Sequence, residues 1–89
     1  MAHFLVRTTF TSPTAPDPYV EDHLAYLRRL HAEGSLLIAG PIDGDPGGLL
    51  VFEAATEIEV RAIMEADPYA AGGVFAAFEI TPFRVIVGP

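Results

Sequence analysis

The chain has 89 residues, 51% of them hydrophobic, with twelve acidic side chains against five arginines, no lysine and a formal charge of −7. A chain of this length forms one domain, residues 1–89, and hides only about 60–65% of its unfolded surface by itself. The acidic balance excludes nucleic acids and anionic membranes as partners, because both are held through basic groups.

The apolar excess is more than a small monomer buries and points to a second copy as cover. There is no cysteine, no apolar run near the roughly 20 residues of a membrane span, and no basic segment leading into an apolar one. A cytoplasmic protein without disulfides is the expectation.

Residues 3–10 are rich in β-branched and aromatic types and predict a strand. A proline-rich loop, 11–18, follows. The first helix has Asp17 as its N-cap, Pro18 at its first position and Gly34 as its stop. Val20, Leu24, Leu27 and Leu30 fall on one face of it. Residues 35–40 and 49–53 predict two strands joined by the turn cluster 43–48. Thr56 and Glu59 form a capping box that opens a second helix with Val60, Ile63 and Met64 inward. A last strand spans 74–87, and Pro82 within it marks an edge or a bulge.

The order β-α-β-β-α-β predicts a ferredoxin-like α+β fold, an antiparallel sheet with both helices on one face. At period two both faces of the sheet are apolar. Phe4, Val6, Val74, Ala76 and Phe78 share one parity, and Leu5, Leu49, Val51, Phe75 and Ala77 fall on others. A sheet apolar on both sides is covered on both, so a homodimer through the helix-free face is expected.

Two residues break local rules. Asp67 precedes Pro68, which drives it out of the helical region, and so puts a carboxylate beside a helix C-terminus, unfavourable by roughly 0.3–1 kcal/mol. It either ends the helix in water or serves a function, since such breaks gather at functional sites. His23 lies about 40° from Leu27 on the helical wheel, inside the apolar stripe. A histidine there is either a satisfied core residue or a site residue, because an unpartnered buried imidazole is costly. Paired with Asp67, it would be oriented as in general acid–base sites, and both anomalies would be resolved. His31 suits the helix C-terminus. His23 and His31 stand eight residues apart, not the three or four of helical metal ligands, so no metal is expected. Nucleotide binding lacks its glycine fingerprint.

The run from His23 to Pro41 resembles the H-L-x-x-L-x-x-L-x-x-x-G-x-L-L-x-A-G-P signature of the YciI-like, YCII-related family. Residues 66–74 resemble its A-D-P-Y/F and A-G-V/L segments, and Thr81-Pro82-Phe83 its closing strand motif. The resemblance spans nearly the whole chain. It implies a dimeric α+β barrel without cofactor, with His23 and Asp67 as the active-site pair. It implies that Gly40 and Pro41 shape a substrate pocket. Tyr69, a motif residue, and Tyr26 are pocket donors or packing residues. In that family and its relatives, a dehydrochlorinase acts on a chlorinated hydroxyquinol and muconolactone isomerases act on small cyclic acids. A lyase or isomerase of a small cyclic or aromatic-derived substrate is therefore expected. The alternative is a non-catalytic ligand-binding or accessory dimeric module. A monooxygenase of the same barrel type has no signature here.

Overall fold

The computed structural model describes residues 1–11, 18–44 and 46–88. Its elements run β1 (Ala2–Phe10), α1 (Val20–Ala32), β2 (Leu36–Pro41), β3 (Gly47–Ala54), α2 (Glu57–Glu65), α3 (Pro68–Ala71) and β4 (Phe75–Phe83). The strands form one antiparallel sheet in the order β2-β3-β1-β4. This is the expected ferredoxin-like α+β fold, with one additional short helix.

Alternation builds the core. In β1, buried Phe4, Val6 and Thr8 alternate with outward Leu5, Arg7 and Thr9, and Phe4 and Val6 pair in register with Phe52 and Leu50 of β3. Leu36, Leu30, Val60 and Met64 complete the cluster from β2, α1 and α2. Each such side chain, fully buried, contributes about 1.5–3 kcal/mol. Pro82 sits on β4, an edge strand, where its missing N–H costs no ladder bond.

A register shift between Thr9 and Phe10 alters the expected parity. Beyond it Phe10 pairs with Phe75, so Phe75 joins Phe78 and Ile80 against the core, while Ala76 and Ala77 are exposed. A bulge turns every later side chain over, and spacing alone does not reveal it. β4 also ends at Phe83 rather than at residue 87. Among the described residues no helix is long and apolar enough to cross a membrane.

The helix ends follow local chemistry. Thr56 accepts from the Glu59 amide at 3.3 Å, while the Glu59 carboxylate reaches back to the Ala55 amide at 3.1 Å, one residue earlier than the simplest capping box. α1 starts at Val20 behind Tyr19, which provides no side-chain cap, so Pro18 lies before the helix and Asp17 outside the described residues. Gly34 ends it at φ +88°, which glycine adopts without strain. The N-terminal half of α1 stays off the sheet. Val20 and Leu24 are each 38% exposed, whereas Leu30 is 5% exposed. A cavity occupies the gap.

Candidate active site

Ala66 is the C-cap of α2, and the chain turns at once into α3. Pro68 holds Asp67 extended, at φ −64° and ψ 135°. Asp67 therefore closes one helix and caps the next, and its Oδ1 accepts from the Tyr69 amide at 2.9 Å. The N–H groups of α3 supply the favourable field that the end of α2 withholds. That second helix is what local sequence signals missed.

His23 projects from α1 to the same point. Its Nδ1 lies 2.8 Å from Oδ1 and 2.9 Å from Oδ2 of Asp67. Oδ1 already accepts from the Tyr69 amide, so the carboxylate is the acceptor and Nδ1 the donor. Asp67 is 1% exposed and the His23 side chain 12%. Nε2 has no hydrogen-bond partner among the described residues. It is not sealed in either, because no buried side-chain nitrogen or oxygen among them lacks a partner.

Aromatic rings fix the imidazole plane. Tyr69, 6% exposed, stacks on His23 with 3.7 Å between centroids and 5° between planes. Phe75 meets both rings edge-on, at 84° to His23 and 87° to Tyr69. Phe10 meets Tyr69 at 83°.

His23 and Tyr69 line a cavity of about 370 Å³ between the raised half of α1 and the sheet. Leu24 and Leu27 form its helix wall, Gly40 and Pro41 border it from β2, and Thr8, Phe10 and Phe75 close it from β1 and β4. His23, Tyr69, Gly40 and Pro41 thus border one space, and Asp67 does not line it but holds His23 from behind. Tyr26 does not line it. Its hydroxyl donates to the Ile63 carbonyl at 2.8 Å and ties α1 to α2. Burial first, and the Asp67 charge second, raise the Tyr26 phenol above its ordinary 10.0, with Glu33 adding and Arg29 opposing.

Sequence reasoning did not identify Thr8, Phe10 or Phe75 as cavity residues. Thr8 had a usable signal, a hydroxyl in step with buried Phe4 and Val6; it accepts from the Gly48 amide at 3.1 Å. Phe75 had none, because the bulge decides its face. His31 lies outside the site and bonds the Leu36 carbonyl through Nδ1 at 2.8 Å.

The family model of the YCII-related domain matches residues 4–84. Protein YciI of Escherichia coli O6:H1 is 38% identical over 74 residues, 72% of this chain and 76% of the relative. An uncharacterized protein of Haemophilus influenzae is 36% identical over 76 residues, 74% of this chain and 78% of the relative. Among solved structures, 5-chloro-2-hydroxyhydroquinone dehydrochlorinase (TftG) from Burkholderia phenoliruptrix, in complex with 2,5-dihydroxybenzoquinone, superposes with a TM-score of 0.79. It is 28% identical, over 92% of this chain and 93% of its own. Protein Atu4242 from Agrobacterium tumefaciens, 13% identical over 94% of this chain and 92% of its own, shares the fold with a TM-score of 0.50. The chain belongs to the YCII-related family.

Proposed function

We propose that this protein is a cofactor-free lyase or isomerase of a small cyclic substrate, with His23 as general base and acid and Asp67 as its orienter. One observation carries the reading: an imidazole held by a buried carboxylate at Nδ1, its Nε2 bonded to none of the described residues, on the wall of a cavity. At about 370 Å³ the cavity lies at the low end of the roughly 300–1,000 Å³ of small-ligand sites, which suits a single ring. The likeness to a dehydrochlorinase acting on such a ring supports it.

In this mechanism Nε2 takes a proton from an O–H or an activated C–H of the ring. The electron pair left behind forms a new π bond. It either expels an anionic leaving group, or moves through the ring so that His23 returns the proton at another carbon. Asp67 faces the imidazolium formed in between, and the Tyr69 ring lies against its face.

We further propose that two copies pair through the helix-free sheet face, where Leu5 and Val51 are half-buried and Ile38 is 68% exposed. The experiment is turnover of halogenated hydroquinones, read as halide release, and of cyclic lactones, by the wild type, His23→Ala and Asp67→Asn. Loss of turnover in both variants, with folding and assembly intact, is expected. Turnover retained in both, or collapse of both folds, would show the pair to be structural. Retained ligand binding with no turnover even in the wild type would mark a binding module.

A further inference from the structure

Resting on that reading of the cavity, we infer that it takes a ring bearing hydroxyl or keto groups and rejects one bearing a carboxylate or phosphate. The chain has five arginines and no lysine. All five arginines lie among the described residues, so every fixed side-chain cation has a known position. Arg7 is exposed, out of step with buried Val6 and Thr8, and points to the helix-free face. Arg29 lies 5.1 Å from the centroid of the Tyr26 ring, and Arg61 5.6 Å from that of Phe78. Arg84 borders a groove with Val51 and Phe83. Arg28 lines the cleft between α1 and β2, which adjoins the His23 cavity across Leu24, Leu27 and Ala39. None of the five lines the cavity.

Among the described residues the cavity wall is otherwise apolar but for three side chains, His23, Thr8 and Tyr69. The Thr8 hydroxyl is engaged with Gly48. Any positive charge on His23 is already faced by Asp67. A carboxylate entering here would give up its water and meet no uncommitted cation, a strongly unfavourable transfer. The Asp67 charge behind the imidazole opposes it further. A phenol gives up far less and can donate its O–H to Nε2. The proton removed is then a ring hydroxyl proton, and elimination or tautomerisation of a hydroxylated ring is favoured over isomerisation of a cyclic acid.

Hydroquinone and 4-hydroxybenzoate test this, since they share a ring and differ by a hydroxyl exchanged for a carboxylate. Each is titrated at neutral pH into the full chain in its native assembly; affinity is read by calorimetry in wild type and variants, and the His23 ring resonances are followed by NMR where His23 is present. Hydroquinone should bind at least about tenfold more tightly, the equivalent of about 1.4 kcal/mol, and His23→Ala should weaken it. Leu24→Arg adds a cation at the cavity wall and should raise 4-hydroxybenzoate affinity about tenfold. If the wild type binds 4-hydroxybenzoate as tightly, with the same dependence on His23, the class assignment is overturned while the site reading stands. An arginine placed over the cavity mouth by a second copy would give that result. If neither ring perturbs His23, both readings fail.

Discussion

The ring of Tyr69 lies flat against the imidazole of His23, 3.7 Å between centroids and 5° between planes. Its own backbone amide bonds the carboxylate that holds the other side of the pair. One residue thus fixes His23 by its ring and Asp67 by its backbone. Tyr69→Phe should keep the stack and leave the shifted His23 proton resonances in place. Tyr69→Leu should move them toward ordinary values and lower stability by about 1–3 kcal/mol. Unchanged His23 resonances in the leucine variant would mean that the stack does not persist in solution.

Asp67 caps α3 and accepts from His23 at once. Asp67→Ala removes the cap and leaves Nδ1 unpartnered, at a combined cost of about 2–4 kcal/mol. Asp67→Asn keeps a carbonyl oxygen for both donors and should cost less than half of that in urea unfolding. Equal losses would mean that charge, not hydrogen bonding, holds the junction.

The two glycines before β4 serve different ends. Gly73 has φ +71°, so Gly73→Ala should cost about 1–2 kcal/mol through backbone strain. Gly72 has an ordinary φ of −80°, but a Cβ there would lie 2.6 Å from the Tyr19 ring. Gly72→Ala should cost about 1–3 kcal/mol by overpacking, and the added change Tyr19→Ala should recover most of it. A double mutant as unstable as the sum of the single changes would locate the strain elsewhere.

Tyr26 makes stability depend on alkaline pH. Its folded value lies above 10.0, so above that pH the folded chain keeps a proton that the unfolded chain has released, and stability falls as pH rises. At pH below 10.0 that contribution is fully present. Tyr26→Phe loses the bond to Ile63, about 0.5–1.5 kcal/mol near neutrality, and should show a shallower alkaline decline. Equal alkaline slopes in urea unfolding would exclude Tyr26 as the source.

The proposed dimer is tested on the helix-free face. Val51 pairs with Ile38 and Leu5 there. Val51→Glu puts a charge among apolar neighbours and should halve the mass seen by sedimentation, while the His23–Asp67 contact, on the other face, persists. An unchanged mass would remove this face as the interface.

Residue spacing alone determined much of this protein. The order of strands and helices, the capping box at Thr56, the stop at Gly34 and the edge position of Pro82 all depend on a few neighbouring residues. His23 and Asp67 stood out for the same reason, each as a misfit within its own turn. Tertiary structure decided the rest. His23 and Asp67 lie 44 residues apart in the chain, and packing around the sheet brings them within 2.8 Å. The bulge after Thr9 decides which face Phe75 takes, and α3 follows from Pro68 and the Asp67 cap acting together. The cavity exists because the first half of α1 stands off the sheet, leaving Leu24 of its apolar stripe to line a space instead of a core. A helical stripe specifies which side chains face inward. Whether they meet a neighbour or enclose an opening depends on the path of every other element.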